Sequence, residues 1–154
     1  MISRYEQFSY VISSMYRGIQ RIERAEMVKY GYKGSYAQYL VALTRFPEGL
    51  TLLQLCEVCE KDKAAVSRAV ADMEENGLLI RVNAAGKNSH YRAMIRLSPE
   101  GERISGIVCE RAQAVVNEIG KDLTDEQRSV FYSAMNLIAG GMEAMSQKNS
   151  GKKI

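Results

Sequence analysis

Cys56 and Cys59 form a Cys-x-x-Cys pair, a spacing at which two thiols can share a metal ion or cycle as a disulfide. A structural zinc site needs four ligands, and only Cys109 and the single His90 remain to complete one, both far along the chain. The pair also falls within an apolar pattern of Leu52, Leu53, Leu55 and Val58, where cysteine behaves as a small hydrophobe. No metal ligand and no cofactor are therefore expected. Three cysteines, an odd number, argue equally against a disulfide framework. With one histidine, no glycine-rich phosphate loop and no nucleophile elbow, the chain offers no catalytic constellation, and an enzyme is not expected.

The chemistry that remains is cationic. A net charge of +3 says little, but its distribution says more. Residues 80–98 hold Arg81, Lys87, Arg92 and Arg96 with no Asp or Glu, and Lys148, Lys152 and Lys153 follow near the C-terminus. Such a strip suits contact with a polyanion through one surface. Upstream of it, Lys63, Ala64, Ser67 and Arg68 share one face of a predicted helix, opposite Val66, Val70 and Met73. A guanidinium fork at Arg68 can pair bidentately with a guanine edge, and Ala64 is small enough to meet a thymine methyl. Ser67 can serve a base edge or a phosphate. The alternative for Arg68 is a solvated side chain paired with Asp72 at i,i+4, or held in place by it while it reads a base.

These residues need elements to position them, and helix starts are legible. Ser or Thr followed three residues later by Glu or Gln, the capping-box pattern, occurs at Ser3/Glu6, Ser35/Gln38, Thr51/Gln54 and Thr124/Gln127. Ser98-Pro99 adds a further start. A first helix is predicted over Ser3–Lys29, with an apolar stripe of Tyr5, Phe8, Ile12, Met15, Ile19 and Ile22, ended by Gly31 and Gly34. A second runs from Tyr36 to Arg45 and stops at Phe46-Pro47-Glu48-Gly49. Thr51–Cys59 reads as a short helix, followed by a turn at Glu60-Lys61. Asp62 then caps Lys63–Asn76, and Gly77 closes that helix. Two short helices joined by a tight turn make a helix-turn-helix candidate. Strands are predicted at Leu78–Val82 and Tyr91–Leu97 around the polar turn 83–90, and long helices at Pro99–Gly120 and Thr124–Ser146.

The fold expected is mainly α: a winged helix-turn-helix lobe over 35–98 with a two-stranded wing, and dimerisation helices over 1–34 and 99–147. Residues 148–154 are expected to be a flexible tail, and the whole, 1–154, a single domain. At 46% hydrophobic and 25% charged residues the composition is that of an ordinary globular protein. The longest apolar runs are too short for a bilayer and no signal peptide is legible, so a cytoplasmic protein with no membrane partner is expected. Ile104, Val108, Val115 and Ile119, with Phe131, Leu137, Ile138, Met142 and Met145, exceed what a small lobe can cover and call for a second copy.

Two stretches resemble a known family. Leu50 to Arg81, LTLLQLCEVCEKDKAAVSRAVADMEENGLLIR, and Tyr91 to Gly101, YRAMIRLSPEG, are similar to the MarR family of bacterial transcriptional regulators. The resemblance implies a homodimer bound to double-stranded DNA at a near-palindromic operator, usually as a repressor. It implies Lys63, Ala64, Ser67 and Arg68 at the major groove, and Lys87, His90 and Arg92 as wing contacts. Many members carry an Asp-Arg pair near the wing tip; Ser89 and His90 stand there in this chain. Members often bind small aromatic or amphipathic ligands between the dimer helices and the DNA-binding lobe, which implies Met15, Tyr16, Ile19, Tyr36 and Tyr39 here. Some relatives sense oxidants through a Cys in the first helix, but no Cys precedes Cys56. The competing reading is a winged-helix protein–protein interaction module that does not bind DNA.

Overall fold

The structure, a computed structural model, describes residues 3–83 and 93–150. The chain divides into two compact units, Met1–Ala114 and Val115–Ile154. The first holds α1 (Arg4–Lys29), a 3-10 turn (Gly34–Tyr36), α2 (Ala37–Leu43), α3 (Leu52–Cys59), α4 (Lys63–Glu75), β1 (Leu79–Val82) and β2 (Met94–Leu97). Helix α5 (Pro99–Ile119) begins in it and ends in the second unit, which also holds α6 (Asp125–Ser150). No described helix is long and apolar enough to cross a membrane.

The caps explain most boundaries. Ser3 accepts from the Glu6 N–H while Glu6 accepts from the Ser3 N–H, and Thr51 with Gln54 and Thr124 with Gln127 repeat the exchange. At the end of α1 the Tyr32 N–H bonds to the Met27 carbonyl and the Gly31 N–H to that of Val28, the paired bonds of a Schellman stop. The expected capping box at Ser35/Gln38 does not form. The Tyr36 N–H already bonds to the Lys33 carbonyl, so Ser35 lies inside the 3-10 turn and Gln38 reaches only its carbonyl. At the other end of the chain α6 continues to Ser150, past the expected stop at Ser146. Nothing in Gln147–Ser150 breaks a helix, and Lys148 favours the negative end of its dipole.

The core of the first unit gathers Met27, Leu40, Leu43, Leu55, Val66, Val70, Met73, Leu78, Ile95, Ile104 and Val108, all essentially inaccessible. Each such side chain contributes about 1.5–3 kcal/mol relative to exposure. β1 and β2 pair antiparallel, Leu79 opposite Leu97 and Val82 opposite Met94. Leu50 adds a bridge to Ile95, which the sequence pattern does not announce. Gly77, at φ +72°, closes α4 in a conformation that penalises a Cβ. Ser98 fastens α5 to that corner: its hydroxyl donates to the Gly77 carbonyl (2.5 Å) and accepts from the Gly101 N–H (2.9 Å).

Candidate nucleic-acid interface

Helix α4 starts where Asp62 accepts the Ala65 N–H at 2.8 Å. Its Val66, Val70 and Met73 face the core at 3.6-residue spacing, which turns Lys63, Ala64 and Arg68 to the surface and leaves Ser67 half-buried. The preceding turn is held by bonds from the Glu60 N–H to the Glu57 carbonyl and from the Lys61 N–H to that of Cys56. Glu60 sits there in the left-handed region, at φ 50°. Cys56 is buried in the core, with Cys59 packed against it. Burial raises the Cys59 thiol above its ordinary value.

Asp72 does not pair with Arg68. Its Oδ2 accepts from the Lys33 ammonium and from the Tyr36 hydroxyl, at 2.5 Å for the latter. The Lys33 bond first, then the Tyr36 bond, holds the Asp72 carboxyl below the usual range. Tyr36 is pushed up, first by burial and then by its bond to the carboxylate. Arg68 is left exposed, with no ion-pair partner among the described residues.

The acid-free strip of the sequence is not acid-free in space. Arg81 Nε donates to Glu74 of α4 at 2.8 Å, and Arg96 binds the Glu48 carbonyl and carboxylate at 2.8 and 2.9 Å. Arg96 thereby clasps the turn before α3. Lys87, Ser89, His90 and Arg92 lie outside the described residues. The five expected ligand residues also part company. Tyr36 and Tyr39 are buried in the core, whereas Met15, Tyr16 and Ile19 are exposed along α1. A cleft of about 730 Å³ opens elsewhere, lined by Leu43, Phe46, Ile80, Leu97, Ser105 and Cys109 among others.

Local spacing could not have revealed the Lys33–Asp72–Tyr36 cluster, whose members lie 39 and 36 residues apart. The same holds for Tyr32, which donates to Glu100 across 68 residues, where Arg103 also grips the carboxylate.

With this geometry in view, residues 30–87 match the sequence model of the MarR family. That segment is similar to the MarR family. Solved MarR-family structures share the fold around it. A MarR-family protein from Bacillus stearothermophilus is 23% identical, with 89% of this chain and 94% of that one aligned at a TM-score of 0.72. A MarR-family transcriptional regulator from Listeria monocytogenes, complexed with 26mer DNA, is 18% identical over 94% of this chain and 95% of that one (TM-score 0.73). MarR from Staphylococcus aureus, in complex with salicylate and kanamycin, is also 18% identical, over 91% and 93% (TM-score 0.72). By sequence, no curated protein matches the chain. The MarR-like winged helix, six helices with a two-stranded antiparallel sheet among the described residues, is the mainly α fold expected of the sequence.

Proposed function

We propose that this chain is a MarR-family transcriptional regulator that binds double-stranded DNA as a homodimer, with α4 in the major groove. The observation that carries the reading is the N-terminal face of α4, with Lys63, Ala64 and Arg68 exposed and Ser67 half-buried, on a helix fixed from behind by Val66, Val70 and Met73. In helix-turn-helix proteins that end of the second helix meets base edges. The Listeria monocytogenes relative complexed with DNA supports it. Lys87, His90 and Arg92 belong to the same proposal by their position in the sequence, as wing contacts to phosphate or the minor groove. Two-fold symmetry would set two reading helices about one DNA turn apart, so the operator is a near-palindrome, and its occupation represses.

Release by a small aromatic or amphipathic ligand is the last part of the proposal. The salicylate complex of the Staphylococcus aureus relative supports it. Within one protomer a 730 Å³ cleft is one concave place for such a molecule, while Met15, Tyr16 and Ile19 offer an open apolar face on α1.

Selection of bound duplexes from random DNA tests the reading. A near-palindromic consensus is expected, and Arg68→Ala should lose about 1–3 kcal/mol of preference for it, roughly 5- to 150-fold, with random DNA held as before. Recovery of no consensus, or unchanged preference in Arg68→Ala, would overturn the assignment.

A further inference from the structure

We propose that Lys33 and Tyr36 form a latch that keeps Asp72 from capturing Arg68, so that the guanidinium stays available for a base edge. The inference rests on the DNA-binding reading above and deepens it. Arg68 and Asp72 stand at i and i+4 on one helix, the spacing at which opposite charges meet. Left to themselves they would pair, and a paired guanidinium presents fewer donors to a guanine. In the structure Asp72 is already occupied by two donors from outside α4, both on Oδ2.

The two donors play unlike parts. Lys33 brings the charge, but its side chain is 66% exposed, and an exposed ion pair contributes little by itself. Tyr36 brings position: it is 3% exposed, locked in the core, and its hydroxyl is delivered at a fixed point beside α4. The phenol therefore fixes where the carboxylate sits and the ammonium neutralises it. Charge bookkeeping along α4 points the same way. Lys63 and Arg68 oppose Asp72, Glu74 and Glu75, a net of −1 on the helix read into a polyanion. With Lys33 on Asp72 and Arg81 on Glu74 the local balance becomes +1. Both added cations come from outside α4.

The test compares the affinity of the full-length protein for the selected operator with that for a scrambled duplex, by fluorescence anisotropy. General loss of positive charge weakens both duplexes alike and cancels in the ratio. Lys33→Met with Tyr36→Phe should lower the operator-to-scrambled ratio about 3- to 10-fold, within the range one base contact controls. Adding Asp72→Asn should return the ratio to within about twofold of the parent, since the competing acid is gone. In an Arg68→Ala background the latch substitutions should have no further effect. Lys33→Met alone, at an exposed side chain, keeps the test readable if Tyr36→Phe loosens the core. An unchanged ratio, or a fall that persists when Asp72 is Asn, overturns the latch. A parent that fails to tell the two duplexes apart overturns the DNA reading itself, and the latch with it.

Discussion

Glu60 is the only non-glycine among the described residues with positive φ, and it occupies the turn that joins α3 to the reading helix. The two backbone bonds around it are those of a Schellman stop, in which glycine is the usual occupant. A side chain in the left-handed region costs about 1–2 kcal/mol, part of which glycine gives back through the unfolded chain. Glu60→Gly should therefore stabilise by about 0.5–1 kcal/mol, seen as a melting temperature a few degrees higher. A lower melting temperature would mean the Glu60 side chain does more for the fold than its backbone costs. At this scale the sequence is legible where a residue's role depends on neighbours one turn away. Val66, Val70 and Met73 announce which face of α4 is buried, and so which face Arg68 occupies. Asp72 is illegible for the opposite reason. Arg68, four residues before it, offered one partner, but Lys33 and Tyr36, brought in by tertiary packing, take the carboxylate instead.

The element that depends most on a close backbone approach is the start of α5. A Cβ on Gly101 would stand 2.0 Å from the Leu78 carbonyl oxygen and 3.0 Å from its carbon. The obstacle is backbone, so the first turn of α5 would have to move away from the corner that Gly77 and Ser98 hold together. Gly106 lies on the same helix with nothing within 4 Å of the place its Cβ would take. Gly101→Ala should destabilise by about 1–3 kcal/mol in a urea melt, because overpacking outweighs propensity. Gly106→Ala should gain up to about 1 kcal/mol, because propensity acts alone. Equal effects at the two sites would contradict the close approach. Elements were legible in the sequence mainly through their caps, since capping boxes are local and reciprocal. The Ser35/Gln38 box failed because a 3-10 turn took up the same residues. The Leu50–Ile95 bridge went unseen because one paired residue leaves no period to read.

At the scale of the molecule the decisive feature is apolar surface left uncovered. In the second unit Leu137 is 79% exposed and Met145 64%, with Ile138 and Met142 beside them on α6. In the first unit α1 shows Tyr5, Tyr10, Val11 and Ile12 to solvent. Contiguous apolar surface of this kind marks an interaction site. The set expected from sequence to lie between two copies divides on inspection. Ile104 and Val108 are fully buried inside the first unit, whereas Ile119, Leu137 and Met142 are free to meet a partner. Hydrophobic periodicity shows that a face will be buried, but not against which chain, and that division was beyond it. If α6 supplies the contact, the parent should sediment as a dimer at micromolar concentration. Leu137→Glu with Met142→Glu should shift it to monomer, since each charge would have to be desolvated in the interface. Operator affinity should then fall steeply, because two half-sites bound by a linked pair gain the effective concentration that separate monomers lack. Affinity for a single half-site should hold, since α4 and its supporting core lie in the other unit. A parent that sediments as a monomer would refute the dimer. Dimers that persist in the double variant would move the contact from α6 to the exposed face of α1.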